Sequence, residues 1–87
     1  MIQLRNYING ELIEPVSKKY LDNYEPATGE VYSHCPDSDE RDVQLAVEAA
    51  RKAFPEWSNT HAGKRSEILL RIAQLITENL DTLSKAE

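Results

Sequence analysis

Apolar and polar positions change period once along this 87-residue chain. Up to about residue 35 the apolar residues stand in short clusters separated by turn-forming residues, and beyond it they recur every third or fourth position. Tyr7-Ile8 and Leu12-Ile13 flank Asn9-Gly10. Asn-Gly suits the positive φ angles of a type I′ turn, so a hairpin is expected from about Leu4 to Glu14, ended by Pro15. Further extended runs are expected from Tyr20 to Tyr24 and from Glu30 to Cys35, with Pro26 and Gly29 between them. The intervening stretch YEPATGEVY, Tyr24 to Tyr32, has the composition of a tight turn or a ligand loop. Pro26 fixes one backbone angle and Gly29 is free to take a left-handed one, which favours a purely geometric connection.

The second part is helical. Asp39 is placed to cap a helix, with Asp42 three residues on and acidic residues in the first turn, where the helix dipole favours them. Val43, Ala46, Val47, Ala50 and Phe54 share one face, and Pro55 is expected to end the helix. Thr60 is placed to cap a second helix, whose Ile68, Leu69, Ile72, Leu75, Ile76, Leu80 and Leu83 make a broad apolar face. The expectation is an α+β chain with strands over about 4–35 and helices over about 40–54 and 61–86. One short helix and three small strands cannot cover so broad a face. The final LDTLSKAE also stops while helical periodicity is running, with no Gly or Asn cap. Residues 1–87 are therefore expected to be an incomplete domain of a larger subunit. A self-contained small protein with a frayed last helix stays open as the alternative.

Composition narrows the function classes. Ten Lys and Arg stand against 15 Asp and Glu, and the basic residues are scattered, so no clustered basic face exists for a nucleic-acid backbone. Cys35 is the single cysteine, which rules out an internal disulfide, and MIQLRNYING lacks the basic and apolar regions of a signal peptide. A reducing, cytoplasmic setting is expected. No apolar run approaches the roughly 20 residues that would cross a bilayer, so no membrane partner is expected.

Candidate chemistry is sparse. His34, Cys35, Asp37 and His61 are zinc-ligand types, but adjacent strand residues point to opposite faces, and no second Cys or His pair stands at ligand spacing. Cys35 as a nucleophile would need a base, a cation or a helix N-terminus to stabilise its thiolate. The nearby helix start is acidic, with Asp39, Glu40 and Asp42, which works the other way. Gly10, Gly29 and Gly63 are isolated, and Gly63-Lys64 is only a fragment of a phosphate-binding loop. Trp57 beside Phe54 is expected to pack under a helix end rather than serve as a stacking platform.

Four ordered blocks carry a resemblance over nearly the whole chain: YINGE at Tyr7 to Glu11, YEPATGEVY, DVQLAVEAARKAFPEWS at Asp42 to Ser58, and RSEILLRIAQLITENLDTLSKAE at Arg65 to Glu87. Together they resemble the N-terminal region of the aldehyde dehydrogenase superfamily. The family's common turn is N-P-A-T-G-E, so Glu25 stands where Asn is usual, which alters a local side-chain to backbone hydrogen bond. The resemblance implies a subunit with an α/β dinucleotide-binding domain, of which this chain would be part, a catalytic domain and an oligomerisation arm, assembled as a homo-oligomer. It implies an NAD- or NADP-dependent oxidation of an aldehyde substrate to a carboxylic acid through an active-site cysteine and a glutamate. Neither residue falls in the matched region, and no catalytic or cofactor-contacting position carries over, so the 87-residue chain alone is expected to be inactive and to bind no cofactor.

One minor site carries over: the main-chain carbonyls of Asn23 and Tyr24, which in the family help to hold a structural monovalent cation. Two carbonyls alone make a poor site, so no ion is expected on the isolated chain. The tyrosines around the turn and the CPDS that follows look most like dehydrogenases of muconic semialdehydes. The alternative function class is a free-standing structural or protein-interaction module that recruits a partner helix through the apolar face of its second helix.

Overall fold

A computed structural model describes residues 2–87 of the chain as five strands in two small sheets and three helices, an α+β arrangement. The chain divides into two compact units, the first ending at Phe54 and the second spanning Pro55–Glu87.

In the first unit, β2 (Asn6–Ile8) and β3 (Glu11–Ile13) form an antiparallel hairpin with Asn6 opposite Ile13 and Ile8 opposite Glu11. Its two turn residues, Asn9 at φ 54° and Gly10 at φ 78°, hold the left-handed angles that a type I′ turn requires. The other sheet has the order β1-β5-β4. β4 (Tyr20–Tyr24) and β5 (Val31–Pro36) pair antiparallel, and YEPATGEVY is the connection between them. There the amides of Thr28 and Gly29 both donate to the Glu25 carbonyl, and the Glu25 amide donates to the Glu30 carbonyl at 2.8 Å. Gly29 sits at φ 73°. Glu25 takes part through its own side chain, which accepts from the Thr28 hydroxyl at 3.3 Å. The stretch is thus a closed turn that uses its own polar groups.

β1 (Ile2–Gln3) pairs parallel to β5, with Ile2 opposite Ser33 and Gln3 opposite His34. This pairing lies before the expected start of the strands at about residue 4, because nothing local to Ile2 and Gln3 specifies a partner some 30 residues away.

α1 (Glu40–Ser58) begins where expected but runs through Pro55. The expected end at Pro55 is therefore corrected. Proline removes one hydrogen bond, yet its φ is already helical. The carbonyls left at the helix end are also satisfied: Ser58 Oγ and Asn59 Nδ2 donate to the Pro55 carbonyl at 3.1 and 2.8 Å, and Thr60 Oγ1 donates to that of Glu56 at 3.0 Å. Thr60 thus closes α1 and does not cap the next helix.

In the second unit, α2 (Ala62–Glu78) has His61 at its N-cap with no side-chain cap bond, and α3 (Leu80–Ala86) follows after a one-residue break at Asn79, φ −112° and ψ 22°. The single second helix expected over 61–86 is therefore two. Asn79 competes with the helix from its side chain, since its Nδ2 donates to the Leu75 carbonyl at 2.8 Å.

Among the described residues no apolar side chain of the aliphatic or aromatic kind is fully buried. The residues buried in the first unit are Pro15, Ser33 and Asp42. Phe54 and Trp57 are exposed, so packing under the helix end is corrected too. The chain exposes 7468 Å², whereas two separate globular bodies sharing its mass would expose about 6200 Å². Large apolar residues of helices and strands alike, such as Tyr7, Phe54 and Leu69, are exposed.

Candidate functional site

The polar groups of the first unit converge where α1 starts. The β5–α1 junction is Asp37-Ser38-Asp39, and Asp39 caps the helix by accepting the Arg41 amide at 2.9 Å. Asp42 answers from the third helical position: its Oδ2 accepts the Asp39 amide at 3.0 Å, a reciprocal arrangement of the capping-box kind. Its Oδ1 accepts the Val16 amide at 2.9 Å, from the loop that leaves the hairpin. With 3% exposure, Asp42 is a buried carboxylate bound to two backbone N–H donors 26 and three residues away in sequence. Asn6 Nδ2 donates to Ser38 Oγ at 2.9 Å, a second tie from the hairpin to the same junction.

Arg41 lies over Asp39, with Nη2 to Oδ2 at 2.7 Å. The hydrogen bond from this guanidinium holds the Asp39 carboxyl below its ordinary value, and the same contact raises Arg41. The pair is well exposed and water screens it, so it contributes little to stability.

The candidate metal and nucleophile residues are not assembled into a centre. His34 Nε2 lies 3.2 Å from Asp22 Oδ1, directly across the β4–β5 ladder. Cys35, the next residue, is paired with Leu21. Asp37 is engaged through its backbone, whose amide donates to the Lys19 carbonyl at 2.9 Å. His61 belongs to the other unit. Among the described residues no group of three His, Cys, Asp or Glu is placed to hold a metal ion.

Asn23 and Tyr24 occupy the end of β4, an outer strand of its sheet, and a register irregularity falls between them. Asn23 faces Ser33, whose buried hydroxyl accepts its Nδ2 at 3.1 Å. A bulge breaks the alternation of successive carbonyls, so both need not be spent on the ladder.

The residues present do not fit a dinucleotide. A pyrophosphate needs close-approaching backbone amides and positive potential at a helix start following a strand. The one such junction among the described residues, β5 to α1, offers Asp39, Glu40 and Asp42 instead, and their charge repels phosphate. Gly63, in the first turn of α2, does not follow a strand.

What the segment offers is a strand, turn and helix frame. The chain belongs to the aldehyde dehydrogenase family, whose family model matches residues 12–87. It is 46% identical over its whole length to a 2-aminomuconic semialdehyde dehydrogenase of Bos taurus and 40% identical over the same span to the human protein of that name. Malonate-semialdehyde dehydrogenase 2 of Bacillus cereus is 45% identical over 94% of the chain. The chain spans 17–18% of the length of these relatives.

In the sequence Asp42 stands only as a helix-start acid. Its spacing to Asp39 signalled the cap, but no sequence signal marked its bond to Val16.

Proposed function

We propose that the chain is the N-terminal strand and helix portion of an NAD- or NADP-dependent aldehyde dehydrogenase subunit that oxidises a semialdehyde of the muconic type to the carboxylic acid. The observation that carries this reading is the end-to-end similarity, 46% over all 87 residues, to a relative named for 2-aminomuconic semialdehyde. Its role within that subunit is structural. The Asp42 junction joins hairpin to helix, and the exposed apolar faces of α1, α2 and α3 are surface for the rest of the subunit to cover.

The main-chain carbonyls of Asn23 and Tyr24 would supply part of a site for a structural monovalent cation in the whole enzyme. Backbone oxygen suits a hard ion of low charge. The 87-residue chain by itself is read as inactive, because the nucleophile, the water-activating carboxylate and the cofactor loop would all come from elsewhere in the subunit. A cytoplasmic, homo-oligomeric enzyme is the setting proposed.

The test is expression of the full reading frame that contains this segment, followed by nicotinamide reduction with 2-aminomuconic semialdehyde and with malonate semialdehyde, each with NAD⁺ and NADP⁺. Turnover of the muconic substrate in preference to malonate semialdehyde is expected. Preference for malonate semialdehyde would overturn the substrate, and no reduction with any pair would overturn the enzyme.

A further inference from the structure

The five asparagines of the chain differ in how their side-chain amides are held. Four donate a hydrogen bond through Nδ2: Asn6 to Ser38 Oγ at 2.9 Å, Asn23 to Ser33 Oγ at 3.1 Å, and Asn59 and Asn79 to the carbonyls of Pro55 and Leu75, both at 2.8 Å. Among the described residues the Asn9 side chain makes no such bond.

The residue that follows sets Asn9 apart as well. Tyr7, Tyr24, Thr60 and Leu80 come after the other four, and each carries a Cβ beside its amide nitrogen, whereas Asn9 precedes Gly10. Open space surrounds the place where a Gly10 Cβ would stand. The Thr60 amide is spent on the Trp57 carbonyl at 3.0 Å, but no backbone hydrogen bond of the described turns and loops starts from the Gly10 amide. Asn9 and Gly10 are both exposed. Their hairpin, β2 with β3, is a two-stranded sheet by itself, and such a pair opens locally at little cost, which lets the backbone rotate into line for attack.

We propose that Asn9 is a modification site, deamidated without an enzyme through a succinimide closed by the Gly10 nitrogen. The Gly10 nitrogen attacks Asn9 Cγ and gives up its proton, and the side-chain nitrogen leaves as ammonia. Water then opens the five-membered ring. Addition at Cγ breaks the new bond and leaves aspartate; addition at the Asn9 main-chain carbonyl breaks the original peptide bond and leaves isoaspartate, with the backbone running through Cβ and Cγ. The net exchange takes up water and releases ammonia, with no oxidation or reduction. Isoaspartate lengthens the main chain of a two-residue turn that sets Ile8 opposite Glu11, and it places a carboxylate beside Glu11, so the modified hairpin loses that register. The site lies within the turn and is independent of what the whole subunit catalyses.

The test is incubation of the protein expressed from the full reading frame, at neutral pH in native buffer and in urea, with peptide mapping by mass spectrometry over time. Isoaspartate is read separately, as methyl groups accepted from S-adenosylmethionine by an isoaspartyl carboxyl methyltransferase. In native buffer Asn9 should convert at least about tenfold faster than any of Asn6, Asn23, Asn59 and Asn79, whose tied amides must first be released. The product should include isoaspartate. Gly10→Ala strains the left-handed turn, so it is compared in urea, where turn geometry no longer counts, and there it should slow conversion at Asn9. Conversion of Asn9 in urea but not in native buffer would overturn the proposal, because the folded subunit would then hold the site closed. Equal conversion at all five asparagines, aspartate without isoaspartate, or a Gly10→Ala rate in urea equal to wild type would overturn it too.

Discussion

Replacing Asp42 tests whether one buried carboxylate holds the first unit's hairpin loop to its helix. Its two oxygens accept the Val16 and Asp39 amides at 2.9 and 3.0 Å. Asp42→Ala removes both acceptors. A hydrogen bond to a charged group contributes about 1.5–3 kcal/mol, and an amide left without a partner in a buried place costs about 1–3 kcal/mol. The Val16 side chain is partly exposed, so water reaches its end of the junction and the lower figures apply. The expected loss is about 2–3 kcal/mol, equivalent to roughly a 30- to 150-fold fall in amide protection. Asp42→Asn keeps one acceptor oxygen but turns an NH₂ toward the second amide, so it should cost about half as much.

Hydrogen exchange followed by NMR at the Val16 and Asp39 amides is the assay. The Gly29 amide, bonded to Glu25 at 2.8 Å in the distant β4–β5 turn, serves as an internal reference for opening elsewhere. The reasoning fails if Val16 and Asp39 exchange at wild-type rates in Asp42→Ala, or if Asn and Ala variants behave alike at both amides. A fall in Gly29 protection equal to that at Val16 would also refute a local junction, because it would mean the whole unit opens at once.

Two further outcomes follow from single residues. Gly29 sits at φ 73° with open space where a Cβ would stand, so Gly29→Ala should cost about 1 kcal/mol of backbone strain, and Gly29→Asn less, since Asn tolerates the left-handed region. Thermal melts of the two variants check the order, and equal melts would contradict it. The Asp39 carboxyl is lowered chiefly by its hydrogen bond from Arg41. A depressed carboxyl contributes stability above its unfolded-state value, and that contribution is lost as pH falls below about 3.8, through the folded-state value. Arg41→Gln should therefore move the Asp39 titration, followed by NMR of its side chain, upward. An unmoved titration would show that the guanidinium is not the cause.

What the sequence made legible is local. Asn9-Gly10 and Gly29 required left-handed backbone, and both turns formed where those residues stand. Asp39 marked the start of α1 because a cap acts within one helical turn. What stayed hidden depends on distant partners. Ile2 and Gln3 find Ser33 and His34, and Asp42 finds Val16, across intervals for which no pattern exists to read. Pro55 departs from the rule for a different reason: its missing amide frees only the Arg51 carbonyl one turn back, while Ser58, Asn59 and Thr60 bond the Pro55 and Glu56 carbonyls and so close the helix after it. The candidate site divides the same way. The opposed directions of His34 and Cys35 follow from strand alternation and were foreseen, whereas the pairing of His34 with Asp22 needed the register of β4 on β5.

The balance of forces explains why so much of the architecture is local. With no large apolar side chain fully buried among the described residues, the hydrophobic term that selects one tertiary arrangement over others is weak here. What remains is backbone pairing, turns and caps, together with a few polar ties such as Asp42 to Val16 and Asn6 to Ser38. A single such tie supplies only a kcal/mol or two, so it orders its own junction without building a core. The conformations are therefore encoded within the segment, while most of the free energy available to hold them lies in the uncovered faces of α1, α2 and α3. Covering those faces by more of a longer subunit should raise protection throughout the helices while leaving the hairpin turns, already fixed by Asn9, Gly10 and Gly29, in the same geometry.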